Sequence, residues 1–269
     1  MIKNVMTTWT KRDFLIYAAL FILLAVRMPV ADLFFNFEQL FNTSVLSMWD
    51  ENLRLIQNWT YYLYERWSFV LVGIVILINR IDLKSLNIDE YFLYIFWCSG
   101  VIYCIYFFWP LGWAAALISI YLFIFYYKNW DKFVNKEPKK LQIVAIILIG
   151  FFLSLLFISD SVDVTKIRLA VHWSIIRMPF VVVEEVIFRG LLWKFLITLG
   201  WSESKIVILQ AILFWISHVY HMFTYPVLFW VIIPIISILF GIFVWKSRSI
   251  TPSTIAHILF NFFRWLTQS

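Results

Sequence analysis

Apolar positions gather into long runs near residues 14–35, 60–79, 91–109, 111–127, 141–158, 172–197, 205–222, 226–246 and 251–266, each closed by charges, Pro or a polar cluster. A helix needs roughly 20 apolar residues to cross a hydrocarbon layer. The pattern therefore predicts an all-α fold, a polytopic transmembrane helical bundle with eight or nine spans. The first run is interrupted by Arg27, Pro29 and Asp32, and the pair flanking Pro110 turns so tightly that a re-entrant hairpin is an alternative. Segment 36–59 mixes Phe37, Leu40, Phe41, Met48 and Trp49 with polar residues, the character of an interfacial helix or of a connecting loop with anchors. The charged loop Asp131–Lys140 is the natural divide between N-terminal helices over 1–140 and a C-terminal core over 141–269.

Composition agrees with this pattern. Of 269 residues, 63% are hydrophobic and 14% charged, with a mean hydropathy of +0.85, which excludes a soluble globular enzyme. The formal charge of +6 records topology rather than a nucleic-acid partner. With the N-terminus inside and every run crossing, 14 of the 22 Lys and Arg fall on the inner side, among them Lys11, Arg12, Arg80, Lys132, Lys139 and Lys140. Lys11 and Arg12 make the first run imitate a signal peptide, but no small-residue cleavage pattern follows, so it is expected to remain as a mature span. Cys98 and Cys104 share one run at a spacing no disulfide within a helix can close.

Ionisable residues are costly inside a bilayer and are placed there for function more often than by accident. Here they crowd the last third. Glu184, Glu185 and Arg189 share the sixth run, His218 lies in the seventh with His221 after it, and His257 and Asn261 share the ninth behind Thr251 and Pro252, which read as an N-cap and first helical residue. Glu185 and Arg189 are four apart and so face each other as a charge-assisted pair, leaving Glu184 to address another helix. His257 and Asn261, also four apart, project from one stripe. Two hydrolytic chemistries suit this set. Glu184 can act as general base on a water held by His218, while His257 and Asn261 donate to an oxyanion. Alternatively Glu184, His218 and His257 ligate a zinc ion that activates the water. No cofactor is preferred, and zinc stays open.

The Glu-Glu-x-x-x-Arg of residues 184–189, the Phe-x-x-x-His of Phe214 and His218, and the His-x-x-x-Asn of His257 and Asn261 resemble the three signature motifs of the CPBP family, the CAAX-protease and bacteriocin-processing (Abi-type) intramembrane endopeptidases. The string from Pro179 to Gly190 is similar to the family's fuller first motif, and the resemblance covers about residues 172–266. It implies a helical-bundle endopeptidase with a site sunk in the membrane, Glu184 and His218 activating water, His257 and Asn261 holding the oxyanion, and Glu185 with Arg189 in support. The family has been described both as metal-dependent and as glutamate-type, so the resemblance leaves the metal undecided.

The plainer alternatives are a protonated helix-packing carboxyl for Glu184 and interhelical hydrogen-bonding roles for His218, His257 and Asn261. His221 and His172 read as interfacial. A transporter or a peptide-binding immunity protein could use the same buried polar cluster. The expected partners are a membrane-associated substrate, prenylated or bacteriocin-like, and the bilayer itself, with no nucleic acid, and the expected location is a bacterial cytoplasmic membrane. One geometric demand follows. Counted from Phe180, Glu184 lies near the outer face and His257 toward the inner one. They come level only if the sixth helix starts near His172 and bends at Pro179, or if the ninth is tilted or starts deeper.

Overall fold

The computed structural model describes residues 68–76, 86–106, 111–127, 163–219 and 221–268. The runs at 14–35 and 141–158, the interfacial segment 36–59 and the dividing loop 131–140 lie outside these residues. The described elements are α1 (68–76), α2 (Glu90–Tyr106), α3 (Leu111–Tyr127), α4 (Val164–Glu185), a π-helical turn (Val186–Leu191), α5 (Leu192–Thr198), α6 (Glu203–Ile216), α7 (His221–Thr224), a second π-helical turn (Leu228–Ile232), α8 (Ile233–Ser247) and α9 (Thr251–Gln268). Among the described residues the fold is all-helical, with no strand. One continuous helix, Leu228–Ser247, is long and apolar enough to cross a membrane, while the apolar helices over Glu90–Tyr106 and Trp113–Tyr126 are shorter.

The chain forms two compact units, one from Met1–Ser68 with Leu191–Leu239, the other from Phe69–Gly190 with Phe240–Ser269. In the second unit α2 and α3 pack through small residues. Ser99 and Gly100 meet Ala115, Ala116 and Ser119, and a Cβ on Gly100 would overlap the Cβ and Oγ of Ser119 and come within 3.2 Å of the Ala115 carbonyl. Close backbone approach of this kind drives association where lipid removes the hydrophobic force. The serine hydroxyls stay satisfied by bonding back one turn, Ser99 to the Ile95 carbonyl at 2.8 Å and Ser119 to the Ala115 carbonyl at 2.7 Å. Large apolar side chains such as Ile105, Trp113, Leu117 and Tyr121 point outward instead.

The sixth run is longer than its apolar stretch suggests. The helix begins at Val164, where Asp163 in an extended conformation caps it by accepting the Lys166 amide at 2.7 Å, and it continues through Pro179. Helical structure is unbroken from 164 to 198, because the π-helical turn joins α4 to α5 without a gap. Glu184 is therefore deep within a helix, and a start near His172 is corrected to one eight residues earlier. Helix α9 packs antiparallel on α4. Trp173 stacks on Trp265 at 5.4 Å near one end, and Glu185 meets Ser253 and His257 near the other. Glu184 and His257 thus lie level, and the depth conflict raised by the apolar run alone disappears.

In the first unit α5 ends at Gly200, whose φ of +79° gives a left-handed cap in which the Trp201 amide reaches the Leu196 carbonyl at 3.1 Å. Helix α6 then runs to Ile216, where the seventh run breaks. Residues 217–219 form a turn, so His218 is presented from a helix end and not from within a span. Replacing Gly100 by Val should force α2 and α3 apart and cost about 1–3 kcal/mol. Denaturant unfolding of the detergent-solubilised protein measures this, and Ser119→Gly added to Gly100→Val should restore part of the loss.

Candidate active site

The site in the second unit is built on the Glu185 carboxylate, which is fully buried with Arg189 and Ser253. Its Oε1 lies 3.3 Å from Arg189 Nη1 and 2.9 Å from His257 Nδ1, and its Oε2 accepts the Ser253 hydroxyl at 2.6 Å. The i,i+4 pairing of Glu185 and Arg189 is present as the spacing required. The Arg189 guanidinium also lies over two rings, Phe188 at 5.8 Å and Phe240 at 5.6 Å. Phe240 packs against the His257 imidazole as well, with ring centroids 5.3 Å apart.

A carboxylate can only accept, so His257 carries its proton on Nδ1. That turns Nε2 toward Glu184, whose Oε2 is 3.7 Å away, beyond a direct hydrogen bond. The Glu184 side chain keeps 17% of its surface exposed and His257 6%, so Glu184 is the more accessible of the two glutamates. Asn261, one turn beyond His257 on α9, is half-buried.

His218 belongs to the other unit and has its own fixed geometry there. Its Nδ1 is 2.8 Å from the Phe214 carbonyl and 3.2 Å from Ser217 Oγ, and its ring lies 4.6 Å from that of Phe214. The carbonyl fixes the proton on Nδ1 and leaves Nε2 as an acceptor. The motif's Phe thus acts twice, by its ring and by its carbonyl. His221 differs from the interfacial position expected of it. It is 5% exposed, stacks 6.3 Å from His218 and meets Tyr225 edge-on at 5.5 Å. His172 is exposed against Tyr106 and Trp173, as an interfacial residue would be. Cys98 and Cys104 are free thiols.

The start of α9 also differs from expectation. The Thr251 hydroxyl is given to Asp89, and the Thr251 amide is met by Ser249 Oγ at 3.0 Å. The Ile250 carbonyl takes the Ser253 hydroxyl at 2.9 Å and the Thr254 hydroxyl at 2.8 Å. Asp89, itself the cap of α2 through the Phe92 amide at 3.0 Å, also accepts the Ser249 hydroxyl. Burial pushes its carboxyl up from the ordinary carboxylate range, and the bonds from Ser249, Thr251 and the Phe92 amide oppose that rise. Sequence reasoning missed Asp89, Ser253 and Phe240. A Thr-Pro-Ser start at 251–253 and an acid just before a run at Asp89 were the available signals, and Phe240 is one of 28 Phe with none.

A zinc site would need three donors around one point, and no group of three His, Cys, Asp or Glu side chains among the described residues is arranged to hold a metal ion.

Residues 166–263 match the family model Rce1-like, type II CAAX prenyl endopeptidase Rce1-like. This segment is similar to that family, in line with the family resemblance carried by the three motifs. The family is one of membrane proteases with membrane-associated protein or peptide substrates. No curated protein and no solved structure matches the chain.

Removing one member of a buried ion pair leaves the other uncompensated. Arg189→Met should therefore lower stability by about 3–5 kcal/mol, read as a drop in the thermal unfolding midpoint in detergent.

Proposed function

We propose that this protein is an intramembrane endopeptidase in which Glu184 and His218 activate water while His257 and Asn261 stabilise the oxyanion. The observation that carries the reading is the orientation of His257. Its Nδ1 is committed to Glu185 at 2.9 Å and its Nε2 faces the more accessible Glu184 at 3.7 Å, so a reactive carboxylate and a potential donor border the same space.

The steps follow from these groups. Glu184 accepts a proton from the water, and the oxygen attacks the scissile carbonyl carbon. The carbonyl π bond becomes an oxyanion that takes hydrogen bonds from the Asn261 amide and His257 Nε2. Since Nδ1 already carries a proton, Nε2 donates only when the ring holds both, and the resulting imidazolium has Glu185 as its counter-ion. Collapse breaks the C–N bond, and Glu184 returns its proton to the leaving amine. Peptide, water and protons balance without an added cofactor.

The remaining expectations belong to the same proposal: eight or nine spans, an inside N-terminus in a bacterial cytoplasmic membrane, and a prenylated or bacteriocin-like substrate.

Glu184→Gln should abolish cleavage of membrane-peptide substrates while circular dichroism and the unfolding midpoint stay unchanged. Full turnover by that variant would sink the proposal.

A further inference from the structure

Helix α9 carries two residues of the proposed site, and its first turn is held by a carboxylate that touches neither. Asp89 is fully buried in the segment just before α2 and receives the hydroxyls of Ser249 and Thr251, which lie 160 and 162 positions away in sequence. The surrounding contacts make that segment a seat. The Ile250 amide donates to the Asn87 carbonyl at 2.8 Å, with Asn87 in the left-handed region at φ 57°, and the Leu86 carbonyl rests against Gly190, at 3.4 Å from where a Cβ would be. Residues 86–89 therefore abut the helix that carries Glu184 and Glu185 and bind the start of the helix that carries His257. These contacts all lie within the second unit.

We propose that Asp89 is a positioning residue that sets the rotation and axial placement of α9, and through it the aim of His257 Nε2 and the Asn261 amide. The inference rests on the endopeptidase reading above. His257 lies about 9 Å along the helix from Thr251 at 1.5 Å per residue, and the intervening helix is stiff enough to carry a rotation at its start to the imidazole. The Ser253 and His257 bonds to Glu185 fix α9 at one point, which still allows a pivot. Asp89, one to two turns away on a different element, supplies the second point and removes that freedom. A buried carboxylate is a costly means of merely joining two helix ends, whereas two charge-assisted bonds in a fixed fork specify one register.

The test uses the full-length protein in detergent or lipid, labelled with ¹⁵N-histidine, and the variants Asp89→Asn, Ser249→Ala and Thr251→Val. Kinetics on a membrane-peptide substrate are measured at a temperature where each variant is folded. A positioning role predicts a kcat lower by about tenfold to hundredfold for Asp89→Asn, with KM within about twofold of wild type. It also predicts shifted His257 ring ¹⁵N signals, with those of His172 unmoved. Thr251→Val and Ser249→Ala should give smaller changes in the same sense, and they carry the test if Asp89→Asn does not fold. An unchanged kcat overturns the proposal, and so does a reduced kcat with unmoved His257 signals. Cleavage that survives in Glu184→Gln would instead remove the endopeptidase reading, whatever the Asp89 variants show.

Discussion

The second unit depends on how one buried carboxylate divides its lone pairs. Glu185 gives one oxygen to Arg189 and His257 and the other to Ser253, and the groups it binds come from two helices that run antiparallel. Placing a carboxylate and a guanidinium in a site without water is expensive unless every strong donor and acceptor is answered. Here the groups that answer the carboxylate are also those whose orientation matters. Turning over the His257 ring would set the Cδ2 hydrogen in place of Nδ1–H against Glu185 and lose that bond, and the Arg189 guanidinium lies over the Phe188 and Phe240 rings. Structural and chemical roles of Glu185 and Arg189 are therefore not separable, as their adjacency in sequence already suggested.

The local part of this design was legible because helical spacing is a short-range rule. Glu185 with Arg189 and His257 with Asn261 are each four apart, and the rule that puts such residues on one face needs no knowledge of tertiary structure. What joins the two pairs is not local. Nothing in the pattern around residue 89 points 160 positions onward, and Asp89 could be read only as the cap of the run that follows it. Helix ends were the other weak point. Lys166 and Arg168 made the start of α4 read as loop, although Asp163 stood ready as its cap, and the apolar residues after Ile216 concealed the turn that presents His218. Apolar runs report what is hidden from water, and helices extend past that boundary wherever a cap and a ladder of amides suffice.

The described helices bury polar groups beside their apolar core and turn large apolar side chains outward. Asp89, Glu185, Arg189, Thr251 and Ser253 are buried, while Trp113, Leu117, Tyr121, Trp230 and Ile235 are exposed. In a hydrocarbon surround this is what holds a bundle together, since lipid tails compete with leucine but not with a hydrogen bond. The same principle explains why the α2–α3 contact uses Gly100 and Ser119, whose value lies in letting backbones approach and not in area buried.

The π-helical turn over Val186–Leu191 follows directly on the two glutamates. A turn of this kind holds more residues than an α turn, so it behaves as a retained insertion in an otherwise regular helix. The carboxylates lie before it and α5 lies after it, which places the two stretches in different angular frames. Loss or gain of a single residue after Arg189 would keep the spacing of the Glu185–Arg189 pair and yet turn every side chain of α5 by about 100° around the helix axis. The length of this turn is therefore as much a constraint on the chain as the identity of the residues in it.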